Sequence, residues 1–166
     1  MDPPTRGFEG WYRTEHPRLV ASMLLLTGDV DLAREVADEA LSRALERWDR
    51  VGEMESPGGW TYRVALNVLR RNKRRAALER RLLLRRPPEV AVPAPAGEAW
   101  DAVRRLPERQ RTAVVLRYVG GLTEREIGET MRVARGTVSA TLRSAHESLR
   151  QVLGDEPDHE DAGERA

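Results

Sequence analysis

LTEREIGETMRVARGTVSATLRSAHESLRQVL, residues 122–153, sets a short helical pattern and a longer one on either side of a three-residue turn. Thr123 and Glu126 stand at capping-box spacing. The hydroxyl can cover an orphan amide of the first turn while the carboxylate reaches back to the cap amide, so a helix should start sharply there. Arg132, Val133 and Ala134 make the turn. Beyond it an apolar seam recurs at Val138, Leu142, Ala145, Leu149 and Val152, which describes a helix with one buried face and leaves Arg135, Thr137, Ser139 and Arg143 to solvent or a partner. Gly128 is small where the two helices must cross. The sum is a helix-turn-helix, whose second helix lies in the major groove of DNA, although an αα-hairpin in a plain bundle uses the same spacing. Arg132 sits where Gly is usual, which predicts either a distorted turn or a left-handed Arg at a cost of about 1 kcal/mol.

Upstream of this unit, Pro107 suits a first helical position, and the helix it opens runs to Val119, ended by Gly120 and Gly121. Further upstream, PPEVAVPAPAG, residues 87–97, carries four prolines that remove backbone donors and fix φ, so neither a helix nor a central strand can propagate through it. This is a flexible linker. Extended at ~3.1 Å per residue it spans about 34 Å, enough to separate two modules on one large partner. The expected organisation is all-α: a helical module over 1–86, the linker, a helix-turn-helix module over 98–153, and a disordered acidic tail over 154–166.

Four helices fit the first half, because apolar residues recur at three- and four-residue spacing with no sustained alternation. One covers about Phe8 to Thr27 with an irregularity at Pro17. Gly28 breaks it before Asp29 or Asp31 caps the next, which runs to about Trp48; VGEMESPGG, residues 51–59, is a loop. The second helix puts Ala37, Leu41, Ala44 and Trp48 on one stripe and Glu35, Asp38, Glu39 and Ser42 on another.

WTYRVALNVLRRNKRR, residues 60–75, follows the loop. On a wheel of 100° per residue, Arg63, Asn67, Arg70, Arg71 and Arg74 occupy one polar arc of roughly 100° with Trp60 inside it, opposite Thr61, Tyr62, Val64, Ala65, Leu66, Val68 and Leu69. The basic run is therefore continuous with the amphipathic helix. Trp60 is a stacking platform worth about 1–3 kcal/mol to an unstacked base, or a Trp packed on a neighbouring helix beside solvated arginines; Asn67 offers donor and acceptor to a base edge.

The net charge of +1 averages unlike segments: residues 70–86 hold nine Arg or Lys against one Glu, and the tail from Asp155 holds one basic and six acidic groups. The basic cluster attracts polyanions through counterion release. The absence of Cys excludes disulfides, thiolate zinc sites and a cysteine nucleophile, and fits a reducing cytoplasm. No apolar run is long enough for a membrane span, and MDPPTRGFEG has no signal-peptide core, so a cytoplasmic protein without membrane contact is expected. There is no phosphate-cradling glycine loop, and His16, His146 and His159 are scattered without a nucleophile or metal spacing; the expectation is no catalytic residue, no metal and no cofactor.

LTGDVDLAREVADEALSRAL followed by WTYRVALNVLRR resembles region two of the extracytoplasmic-function (ECF) sigma factors of bacterial RNA polymerase. LPERQRTAVVLRYVGGLTEREIGETMRVARGTVSATLRSAHESLR resembles their region four, in the same order and across a linker. The resemblance implies that the second helix docks on the clamp helices of the polymerase β′ subunit through Asp38, Glu39 and Arg43, and that region four meets the β flap. It implies that residues 51–59 with Trp60, Arg63 and Asn67 hold the single-stranded minus-ten element and an extruded base, with Arg70, Arg71 and Arg74 on phosphates. Capturing an unstacked base would offset the few kcal/mol of opening duplex. The recognition helix would place Arg135, Gly136, Thr137, Ser139, Ala140 and Arg143 in the major groove of the minus-thirty-five element, where an Arg on a guanine edge discriminates by about 1–3 kcal/mol. Family members commonly carry Lys or Arg at the positions of Ser139, Thr141 and Ser144, so this helix is less cationic than the pattern. The resemblance also implies that region one is absent and that inhibition typically falls to an anti-sigma protein. The competing reading is a stand-alone helix-turn-helix regulator with an N-terminal sensor or dimerisation bundle, which has no need of Trp60, Arg63 and Asn67 on one cationic face.

Overall fold

The computed structural model describes residues 3–83 and 97–153, and among these every regular element is a helix. In chain order they are α1 (Pro3–Thr27), α2 (Val30–Leu45), α3 (Trp48–Val51), α4 (Pro57–Leu83), α5 (Glu98–Arg105), α6 (Glu108–Tyr118), α7 (Glu124–Met131) and α8 (Arg135–Leu153). Most of the expected linker and the whole acidic tail lie outside the described residues.

α1 continues through Pro17 and ends where Gly28 takes a φ of +70°. Asp29 then caps α2, its carboxylate accepting the Leu32 amide at 3.0 Å. One face of α2 is almost all small: Ala33, Val36, Ala37, Ala40, Leu41 and Ala44 are buried, which lets α1 and α4 approach its backbone closely. Two boundaries differ from expectation. α2 stops at Leu45 and Trp48 begins a separate single turn, α3, whose Trp48 ring packs on Phe8 and Trp11 of α1. The loop before α4 is shorter than 51–59, because Ser56 accepts the Gly59 amide at 3.0 Å and so caps a helix that begins at Pro57.

In the C-terminal half the capping box is complete: the Thr123 hydroxyl receives the Glu126 amide, and the Glu126 carboxylate receives the Thr123 amide at 2.7 Å. The turn resolves as a left-handed Arg132 (φ 61°, ψ 48°), the one non-glycine residue with positive φ among those described. Gly128 is required by the crossing, since a Cβ there would lie 2.9 Å from the Val133 carbonyl oxygen. Val138, Leu142 and Ala145 of α8 are buried and Leu149 is partly so, while Val152 is 52 % exposed, so the seam runs out one turn early. α5, which no sequence signal marked, buries Ala102 and Val103 against this unit.

The linker had suggested separated modules, yet the two halves share one apolar cluster. Leu19, Met23 and Leu26 of α1 and Tyr62, Leu66 and Leu69 of α4 belong to the same buried group as Val114, Leu116, Ile127 and Val138. α1 packs on α6 and α4 packs on α7. Gly120 lets the two halves approach closely, because a Cβ there would meet the Tyr62 ring at 3.1 Å.

Candidate nucleic-acid interface

Three surfaces carry the residues singled out from the sequence. On α8, Arg135, Gly136, Thr137, Ala140 and Arg143 are exposed along one side of the helix, and Ser139 is half-buried among them. Ser139 donates to Glu124 at 2.6 Å and Arg135 lies 3.6 Å from the same carboxylate. The hydrogen bond from Ser139, with Arg135 beside it, holds the Glu124 carboxyl below the usual carboxylate range. The face is anchored by the buried seam behind it, so these side chains project from a rigid helix.

On α2, Asp38 is exposed and Glu39 and Arg43 are half-buried. Arg43 donates to Glu39 at 2.6 Å, and Arg71 of α4 donates to both Glu39 oxygens at 2.8 and 3.0 Å. His16 Nε2 lies 3.5 Å from Asp38. The acidic stripe is therefore joined by ion pairing to the basic face of α4.

On α4, the arc expected from the wheel is present. Arg63, Asn67 and Arg70 are half-buried on it, and Arg71 and Arg74 are exposed. Asn67 Oδ1 accepts from Arg70 at 3.3 Å and, at 3.4 Å, from Arg132 of the helix-turn-helix. Burial, with Arg132 and Arg74 close by, lowers the proton affinity of the Arg70 guanidinium. Like charges thus converge on one neutral amide, an arrangement that an anion would relieve. Trp60 is half-buried and packs on the satellite cluster of Phe8, Ala44 and Val51 with Trp48 and Met54, while it also lines, with Arg63, a cleft of about 150 Å³. The wheel placed it correctly in azimuth but ignored the aromatic residues that α1 and α3 bring to that end. The opposite side of α4 is apolar: Tyr62, Ala65, Leu66, Val68 and Leu69 are buried, and the Tyr62 hydroxyl pairs with Ser22 at 3.0 Å.

Residues 11–79 match the family model of Sigma-70 region 2, and residues 96–149 match that of Sigma-70, region 4. The chain is 28% identical over 151 residues to the RNA polymerase sigma-E factor of Streptomyces coelicolor, covering 88% of this chain and 85% of that one. It is also 28% identical over 149 residues to the ECF RNA polymerase sigma factor SigW of Bacillus subtilis, covering 78% and 80%. The chain belongs to the ECF sigma factors. An uncharacterised Rhizobium meliloti protein, R00370, is 29% identical over 168 residues; the match takes in 90% of this chain but only 40% of that longer one. In fold, this sigma factor resembles RpoE of Bartonella quintana, solved in complex with the anti-sigma factor NepR, with a TM-score of 0.74 at 21% identity over 90% of this chain and 98% of that one. Because both halves match sigma regions in order, the stand-alone regulator is not favoured.

Several residues of this sigma factor escaped the sequence argument. Arg125 of α7 pairs with Glu55 at 2.8 Å, and Lys73 of α4 pairs with Glu108 of α6. Each joins the two halves, and none has a local sequence signature. Glu15 is the other omission. It is buried within 3.3 Å of where a Gly58 Cβ would stand, in the first turn of α4, and burial raises its carboxyl above the usual value in spite of Arg18.

Proposed function

We propose that this chain directs promoter-specific initiation as the sigma subunit of a bacterial RNA polymerase. Residues 1–86 act as the core-binding and minus-ten module, and 98–153 as the minus-thirty-five module. The observation that carries the reading is the order of the two region matches on one chain. α2 docks on the β′ clamp helices through Asp38, Glu39 and Arg43, and the C-terminal module meets the β flap. α8 enters the major groove with Arg135, Gly136, Thr137, Ser139, Ala140 and Arg143. α4 takes the melted non-template strand, with Asn67 on a base edge, Trp60 and Arg63 beside it, and Arg70, Arg71 and Arg74 on phosphates. Binding energy alone shifts the duplex-opening equilibrium, so the reading assigns no catalysis and no cofactor to the chain. By extension from the Bartonella relative, an anti-sigma protein restrains it.

The test is transcription by core polymerase with and without the protein on genomic fragments. Start-site-specific RNA that depends on the protein is expected; duplex binding without any such RNA would overturn the proposal. Asn67→Ala should lower open-complex formation by about 5- to 150-fold, the equivalent of about 1–3 kcal/mol of lost base contact, with core-polymerase affinity unchanged. Loss of polymerase affinity in that variant would remove Asn67 from its assigned role.

A further inference from the structure

Glu124 opens α7, and its carboxylate is held in place from two directions. The capping box at Thr123 fixes the backbone it springs from. From α8, the Ser139 hydroxyl donates to Glu124 Oε2 at 2.6 Å, and Arg135 brings Nε to 3.6 Å from the same oxygen. We propose that Glu124 is a specificity-determining residue of the duplex-reading surface, positioning Arg135 for a base edge and keeping it off phosphates. The inference rests on the assignment of α8 to the major groove. Three observations lead to it.

The first is which edge of the guanidinium is engaged. Arginine presents a flat fork of donors, with Nε on its flank and the two Nη groups at its end. The carboxylate lies on the Nε flank, so the Nη pair, which can span O6 and N7 of a guanine, is left for a base. At 3.6 Å the contact is an ion pair rather than a hydrogen bond, so it biases the side chain without capturing it. The Arg135 side chain is 78 % exposed, and a long exposed side chain that is already biased loses less freedom when it docks.

The second is charge. An unaccompanied arginine on DNA goes to phosphate, the strongest attraction the duplex offers and one that carries no sequence information. Glu124, held below the usual carboxylate range chiefly by the Ser139 hydrogen bond, is anionic at neutral pH. It offsets the pull of phosphate on Arg135 and repels phosphate itself. Arg117 also acts on this carboxylate, but its guanidinium donates to the Leu122 carbonyl at 3.0 Å, which leaves Arg135 as the cation able to turn toward DNA.

The third is the hydroxyl of Ser139. It has one proton, and its two acceptors, Glu124 Oε2 and the Arg135 carbonyl at 3.3 Å, both belong to the protein. Ser139 therefore has no proton left for a base. It acts through Glu124, as a positioning residue.

The test uses the full chain on core polymerase. Short duplexes with a randomised window are enriched on this holoenzyme, and Arg135→Ala locates the base pair whose preference depends on that arginine. Glu124→Gln, which removes the charge and keeps the shape, should relax the preference at that same base pair by about tenfold. Affinity for the unselected pool should rise, and the slope of log affinity against log salt should steepen by about 1, the signature of one added phosphate contact. A merely structural role for Glu124 would weaken selected and unselected duplexes alike and leave the slope in place. Ser139→Ala should relax the same base pair in the otherwise wild-type chain and add nothing in a Glu124→Ala background. Intact preference in Glu124→Gln beside a relaxed Arg135→Ala would overturn the proposal. So would an unchanged salt slope, or additive effects of Ser139→Ala and Glu124→Ala. If Arg135→Ala relaxes no base pair, the assignment of that arginine to the major groove fails, and the inference falls with it.

Discussion

Arg132 carries a conformational cost that a glycine would not, and its guanidinium is spent on Asn67 across the molecule. Arg132→Gly and Arg132→Ala both delete that contact, but only Ala keeps a Cβ in the left-handed region. The glycine variant should be the more stable of the two by about 1 kcal/mol in urea denaturation. Glu15 makes a second residue-scale prediction. Burial raises its folded pKa above the ordinary 4.5, so the stability it contributes is complete below that ordinary value and is lost as pH rises through the raised folded value. Glu15→Gln stays neutral throughout. Its urea midpoint should equal that of the wild type in acid and exceed it progressively toward neutral pH; parallel profiles would show that the carboxylate is compensated in place.

At the scale of elements, α7 is short, and a helix of that length depends on its ends. Thr123→Ala removes the hydroxyl that covers the Glu126 amide and half of the capping box. It should cost about 1 kcal/mol, measured by denaturation, and loosen the turn that orients α8. What was legible in the sequence is what is local in this way. The capping box at Thr123, the glycine breaks at 28 and 120–121, the tight crossing at Gly128 and the polar arc of α4 all follow from chemistry within a few residues of each other. α3 was not legible, because Trp48 leaves the α2 stripe to stack on Phe8 and Trp11, more than thirty positions upstream. The start of α4 was misplaced by three residues because Pro57, Gly58 and Gly59 read as breakers, whereas proline suits a first turn and Ser56 caps it. The outward face of Val152 follows from tertiary supply: the seam continues, but no partner reaches that turn.

At the scale of the molecule, the proline-rich stretch lies largely between the two sigma-region matches but gives no sign that the two halves pack on one another. Packing was illegible because it rests on apolar groups that each half also uses internally, and on ion pairs between distant positions, each worth only about 0–1 kcal/mol when exposed. Because Tyr62, Leu66, Leu116 and Ile127 lie in one cluster, the halves should melt together. Calorimetry of the wild type is expected to show a single transition. Two transitions in the wild type would mean that the shared cluster does not couple the halves.

Glu39 is one carboxylate with two cationic claimants, Arg43 on its own helix and Arg71 on α4. It has a fixed number of lone pairs. If α2 meets polymerase and Arg71 meets the DNA backbone as proposed, a partner that draws on Glu39 from the α2 side leaves Arg71 short of a counter-anion that DNA can supply. By linkage, whatever DNA would gain from the released arginine, the polymerase would gain in return, with no conformational change needed to connect them.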